Sequence, residues 1–282
     1  MTTILNPEQL AAWQAQGYLV LRDAFDLRAI AALRDAAAGI IADFDADRHR
    51  TIFSTADRDA GRDDYFFDSA QAVHCFLEEG AVDPDGRLNR PRELAINKIG
   101  HAMHDLVPGF TGFCRQALIG AILRELGMAD PVLWQSMYIF KQPGIGGEVR
   151  WHQDASYLLT RPPAVIGMWV AVEDATLDNG CLWMAPGEHR SPLREVYEVD
   201  WSRRRGRLST LDTTPWPGPD QARALPVRAG SLVVFSDLMP HYSAVNRSAL
   251  SRQAFTMHFS ASDADWSAGN WLQRPDLEPF RV

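Results

Sequence analysis

His152 and Asp154, in the run His152-Gln-Asp154, and His241, which lies 87 residues after the aspartate, have the types and spacing of a metal site. Residues two apart in an extended segment project to the same side, so His152 and Asp154 present an imidazole and a carboxylate to one ion. His241, in Pro240-His-Tyr-Ser, follows the apolar run from Ser231 to Phe235 and can bring a third ligand from a separate strand. Two histidines and one carboxylate on one face of an octahedral ion leave three positions open, the set used by non-haem Fe(II) oxygenases. The pair alone is weak, because a chain with 8 His and 36 Asp+Glu is expected to hold about one His-x-acid combination by chance. The plain alternative for His241 is a turn histidine bonded to backbone.

Eleven residues past His241, Arg252 opens the run Ser251-Arg-Gln-Ala-Phe-Thr-Met-His-Phe259. Strand alternation places Arg252, Ala254, Thr256 and His258 on one face and Gln253, Phe255, Met257 and Phe259 on the other. If the first face is interior, an arginine among Ala and Thr requires an anionic partner, because an unpaired buried guanidinium is prohibitively costly. A dicarboxylate cosubstrate would supply one. An exposed edge strand with a solvated Arg252 is the alternative.

Other site patterns are missing from the sequence. Gly144, Gly146 and Gly147 do not make a dinucleotide fingerprint, since Val149 stands where the third glycine belongs, and there is no Walker A run, H-E-x-x-H or G-x-S-x-G. The net charge of −8 disfavours phosphate backbones and acidic membrane surfaces, so the partner is expected to be a small molecule and neither nucleic acid nor a membrane. Nothing in the sequence calls for an obligatory protein partner. Cys75, Cys114 and Cys181 form neither a zinc knot nor a secreted disulfide pattern. The N-terminus lacks a basic, then apolar leader, and the longest apolar stretch, Ala164 to Val172, falls well short of the ~20 residues of a spanning helix. A cytoplasmic location is the expectation.

The elements that must carry these residues divide by texture. Residues 1–130 are helix-rich: Asn6 caps a helix with Pro7 in its first turn and Gly17 at its end, and Tyr18 to Leu21 reads as a strand. Asp26 caps a second helix running to about Phe44, with Leu27, Ile30, Leu33, Ala37 and Ile40 or Ile41 on its apolar face. A further helical stretch spans Val107 to Leu126. Residues 131–260 are β-rich, with short runs at Val132 to Lys141, Ala164 to Val172, Cys181 to Met184, Ser231 to Phe235 and Gln253 to Ser260. Such runs, without interposed long helices, argue for an antiparallel sandwich or barrel supported by the N-terminal helices. Residues 261–282 form a tail, and one domain covers 1–282. The Arg- and Pro-rich segment from Trp201 to Leu225 reads as a long surface loop, either a solvated excursion or a lid.

Over nearly its whole length the sequence resembles the phytanoyl-CoA dioxygenase family of Fe(II)/2-oxoglutarate oxygenases. The likeness rests on Gly17-Tyr-Leu-Val-Leu-Arg-Asp, Trp151-His-Gln-Asp-Ala, the stretch Val172 to Trp183, Pro186-Gly-Glu-His189 and His241-x10-Arg252. Ile96-Asn-Lys-Ile-Gly-His, Gln135 to Pro143 and Asn270-Trp-Leu-Gln look like a cytosolic member of that family.

The resemblance implies a mainly β fold, a double-stranded β-helix (jelly roll) with flanking helices, and Fe(II) on His152, Asp154 and His241. It also implies 2-oxoglutarate gripped by Arg252, with Gln153, Ser243, Lys98, Met137 and Trp169 at the cosubstrate pocket. The implied reaction couples decarboxylation of 2-oxoglutarate, with O2, to hydroxylation of a small organic substrate. Glu188 departs from the serine usual in the family's Pro-Gly-Ser-His turn. Two other classes remain open: a non-redox jelly-roll hydrolase or isomerase, and a metal-free binding domain.

Overall fold

The computed structural model describes residues 3–53 and 63–282. Helix α1 (Pro7–Gln16) starts in a reciprocal capping box between Asn6 and Gln9 and ends at Gly17 with φ 79°. A Cβ at Gly17 would also lie 2.2 Å from His189 Cγ, so both the turn and the close approach require glycine. Asp26 caps α2 (Leu27–Asp43), which buries Ile30, Leu33, Ala37 and Ile41. Leu27, expected on that face, is 64% exposed, because the first helical residue precedes the turn that meets the sheet. Helix α3 (Asp64–Asp68) and the single turn α4 (Met103–Leu106) follow. The helical stretch expected from Val107 to Leu126 is two helices, α5 (Pro108–Cys114) and α6 (Ala117–Glu125), broken at Arg115 and Gln116.

Fourteen strands are formed by the described residues. In chain order they are β1 (Tyr18–Leu21), β2 (Val73–Leu77), β3 (Ile96–His101), β4 (Pro131–Lys141), β5 (Val149–His152), β6 (Ile166–Ala171) and β7 (Leu182–Met184). The rest are β8 (Glu195–Asp200), β9 (Arg205–Thr210), β10 (Arg223–Leu225), β11 (Leu232–Ser236), β12 (His241–Ser243), β13 (Arg252–Ala261) and β14 (Phe280–Arg281). The major sheet runs β1-β11-β6-β13-β4-β3-β2 with β14 beside β4, and the minor sheet runs β10-β7-β12-β5. All the pairings within these sheets are antiparallel. Two facing antiparallel sheets of this order make the jelly roll, and the mainly β expectation holds.

The major sheet is buried on both sides, which explains why β6 reads as a continuous apolar run and not an alternating one. Met168 and Val170 face the helices, in a core with Ile30, Leu33, Phe110 and Ile122. Trp169 and Ala171 face inward, with Phe235, Ala254 and Met184. Strands β2 and β3 lie inside the region expected to be helical, where Gly100 and the His and Lys residues obscure their alternation.

The segment from Trp201 to Leu225 is not a free loop. Its first part closes the hairpin β8–β9, and Arg204 pairs with Asp64 at 2.6 Å and Asp68 at 2.7 Å on α3. Trp201 packs on Phe67 and donates Nε1–H to the Asn270 carbonyl. These contacts tie the hairpin end of the segment to the body, so the expectation of one long surface loop is corrected there. Among the described residues no helix is long and apolar enough to cross a membrane.

Candidate metal centre

Strand β5 ends at His152, and Asp154 opens a 3-10 turn over Asp154–Ser156. The two residues therefore do not share one strand, as the spacing suggested, yet they meet: His152 Nε2 lies 3.7 Å from Asp154 Oδ1. His241, opposite His152 in the β12–β5 register, brings its Nε2 to 3.7 Å from the same oxygen. The two imidazole rings are 4.1 Å apart between centroids. The ligand atoms of the three lie within 4.8 Å of one another. His152 Nδ1 is 2.8 Å from the Arg150 carbonyl and His241 Nδ1 3.0 Å from the Met239 carbonyl. A ring nitrogen facing a carbonyl must carry the proton, so each Nε2 keeps its lone pair turned toward the shared point.

Asp154 is fixed from behind by His258, a residue that sequence reasoning put on the face of Arg252 but gave no task. Gln135 Nε2–H donates to His258 Nδ1 at 3.1 Å, which leaves the proton on His258 Nε2 to be given to Asp154 Oδ2 at 2.9 Å. Burial opposes the charge on Asp154, but the imidazoles around it, His258 foremost, outweigh that and hold the carboxyl well below the usual carboxylate range. Gly167 makes room, since a Cβ there would stand 3.1 Å from Asp154 Oδ2 and 2.7 Å from the Phe235 ring.

Register across the major sheet explains how residues distant in sequence meet, because directly paired residues stand side by side on one face. One inner row is Lys98, Ile139, Ala254 and Ala171; the next is Gly100, Met137, Thr256 and Trp169. Arg252 pairs with Lys141 at one end of this face, and His258 stands beside Gln135 and Gly167 at the other. Between the ends the small side chains Ala171, Ala254 and Thr256 leave space. Alternation along β13 is thus as expected, with Phe255, Met257 and Phe259 in the helix-side core.

Arg252 is 2% exposed, and its Nε and Nη1 have no partner. Burial pushes its guanidinium down to about 10. The Trp169 ring lies 5.5 Å from its Cζ. Ser243 Oγ, two residues from His241, is likewise buried and unpartnered. A buried guanidinium and hydroxyl with unused hydrogen-bonding capacity fit a carboxylate, and the His, Asp, His donors with free Nε2 atoms fit Fe(II). The residues present therefore match both groups.

A cavity of ≈ 190 Å³ opens beside His152 and Asp154, bordered also by Lys98, Met137 and His258, with Phe66, Tyr157 and Trp271 among its apolar walls. Trp169, which packs against the Arg252 guanidinium, does not border that space, and neither do His241, Ser243 and Arg252. Gln153 is corrected: it is completely buried and faces away, donating Nε2–H to the Pro192 and Leu238 carbonyls and accepting from Arg194 N. Its place between His152 and Asp154 puts it on the opposite side of the segment, where it ties loops together. The departure at Glu188 has a local reason, since its carboxylate pairs at 3.1 Å with the buried Arg194.

Residues 13–254 match the family model for phytanoyl-CoA dioxygenase (PhyH). The chain is 39% identical over 286 residues to "Phytanoyl-CoA dioxygenase" of Arabidopsis thaliana, covering 100% of this chain and 99% of that protein. It is 41% identical over 284 residues to "Phytanoyl-CoA dioxygenase domain-containing protein 1" of Mus musculus, covering 98% and 97%. Among solved structures, EctD from S. alaskensis in its apoform aligns with TM-score 0.64 at 20% identity, over 98% of this chain and 84% of that one. The non-heme alpha ketoglutarate dependent carbocyclase SnoK from nogalamycin biosynthesis aligns with TM-score 0.65 at 18% identity, over 99% and 94%.

Proposed function

This chain belongs to the phytanoyl-CoA dioxygenase family and is an enzyme of that oxygenase type, and from this premise we propose that it hydroxylates a small organic substrate with Fe(II), 2-oxoglutarate and O2. The observation that carries the reading is the unpartnered Arg252 guanidinium on the inner face of the sheet that also supports Asp154. A hydrolase or isomerase using zinc or manganese on the same three ligands would leave Arg252 buried without an anion, and a metal-free binding domain would leave the convergent Nε2 atoms without a purpose.

His152, Asp154 and His241 would hold the iron on one side and leave the other side open. Arg252 would receive the distal carboxylate of 2-oxoglutarate through a two-donor fork, with Ser243 Oγ as a further donor. Lys98 and Met137 border the space between, and Trp169 keeps the guanidinium from swinging away. When bound, the iron and cosubstrate supply the oxidising power, with 2-oxoglutarate converted to succinate and CO2 as a C–H bond is hydroxylated. The apolar walls exclude water from that reaction.

Anaerobic addition of Fe(II) and then 2-oxoglutarate tests the reading. The expected result is a new charge-transfer absorption, lost in Asp154→Ala together with retained iron. A protein that binds Zn(II) on these residues but gives no such absorption would be the non-redox metalloenzyme.

A further inference from the structure

The chamber has a cation that neither the metal nor the cosubstrate uses. Arg150 and His152 lie two apart on β5, where the pairing with β12 shifts register between Val149 and His152, and both border the same cavity. His152 turns its Nε2 to the metal point, while Arg150 borders the same cavity from its exposed rim. The Arg150 carbonyl fixes His152 Nδ1, and its guanidinium makes no hydrogen bond or ion pair with the described residues. The other cations near the chamber are committed. Lys141 donates to the Gly147 and Ser243 carbonyls, Lys98 Nζ lies 3.4 Å from the centroid of the Phe53 ring, and Arg252 is buried beyond the cosubstrate space. Among the described residues bordering the cavity, Asp154 is the one carboxylate, and it faces its histidines.

We propose that the organic substrate is a small apolar acid whose carboxylate is bound by Arg150. Its aromatic or aliphatic body lies against Phe66, Tyr157, Leu158 and Trp271, which places a C–H bond toward the metal point. This rests on the oxygenase reading above. A guanidinium offers two parallel N–H donors that match a planar carboxylate, so the free acid is recognised and its amide or thioester is not. The wall residues Phe66 and Trp271 pack together at 4.5 Å between ring centroids and present a continuous apolar surface to the body of such a molecule.

The test uses the full-length protein loaded anaerobically with Fe(II) and saturating 2-oxoglutarate, whose charge-transfer band reports occupancy next to the metal. Phenylacetate, hydrocinnamate and octanoate are titrated against their amides and CoA thioesters, in wild type and in Arg150→Gln. At least one acid should shift the band with an apparent Kd about tenfold below that of its amide and thioester, a difference of ~1.4 kcal/mol. That ratio should fall to about one in Arg150→Gln. Because acid is compared with amide within each protein, a change in cosubstrate affinity does not imitate the result, and an acid displacing 2-oxoglutarate from Arg252 would bleach the band instead of shifting it. The proposal is overturned if no acid shifts the band, if amides or thioesters bind as well as the acids, or if Arg150→Gln keeps the preference. Failure of the band to form at all would overturn the oxygenase reading itself.

Discussion

The His258 imidazole stands directly behind the Asp154 carboxylate, its Nε2 2.9 Å from Oδ2, while Oδ1 faces the Nε2 atoms of His152 and His241. Loss of that hydrogen bond frees the carboxylate to rotate. His258→Leu is expected to weaken Fe(II) binding about 10–100-fold, the usual range for such supporting partners. His258→Gln, whose amide N–H reaches the same position, should recover much of the affinity. Equilibrium dialysis of the metal measures both, and equal affinity in wild type and the leucine variant would remove His258 from this role.

Arg252→Lys replaces a two-donor fork by a point charge. Charge-assisted hydrogen bonds are worth ~1.5–3 kcal/mol each, so 2-oxoglutarate affinity should fall at least tenfold while iron binding persists. Titration of the charge-transfer band with 2-oxoglutarate gives the number. An unchanged midpoint would mean that the cosubstrate carboxylate lies elsewhere.

Lys141 predicts a pH dependence of stability. Burial first, and the Arg252 charge second, push its ammonium down to about 7, against the opposing pull of Glu78 and Glu148. Above that value and up to the ordinary 10.5, the unfolded chain holds a proton that the folded chain lacks. This lysine therefore makes stability rise with pH across the window and imposes its full cost below pH 7. Denaturant midpoints of the cosubstrate-free protein should climb between pH 7 and about 9, and Lys141→Met should flatten the climb. A slope unaltered by that substitution would trace the effect to other groups.

Gln153 should behave as scaffold. Gln153→Leu leaves the Pro192 and Leu238 carbonyls and the Arg194 N–H without their partner, and each buried group left unsatisfied costs ~1–3 kcal/mol. Tm should drop by several degrees, with 2-oxoglutarate affinity retained in the folded protein. Weakened cosubstrate binding at undiminished Tm would restore the cosubstrate-pocket role that the family resemblance implies.

The chemistry of the centre was legible in the chain because it depends on residue type, with His152 and Asp154 two apart and His241 following the Ser231 to Phe235 run. His152, Asp154 and His241 carry the donors, and alternation from Arg252 to Phe259 decided which side chains share a face before any partner strand was known. Capping was legible for the same reason, as at Asn6 and Asp26, where the signal lies within one helical turn.

Register between strands far apart in sequence is not encoded locally, and that is where tertiary structure decided. Lys98 becomes a neighbour of Ala254 only through the pairing of β3, β4 and β13, and Gly167 matters only because Asp154 approaches it from the turn after β5. The same holds for Gln153, whose side chain turns away from the centre between two residues that face it, and for the hairpin of β8 and β9, anchored by Arg204 to α3. In each case local sequence supplied a side chain able to act. Its direction and partners came from long-range packing, which a linear pattern does not contain.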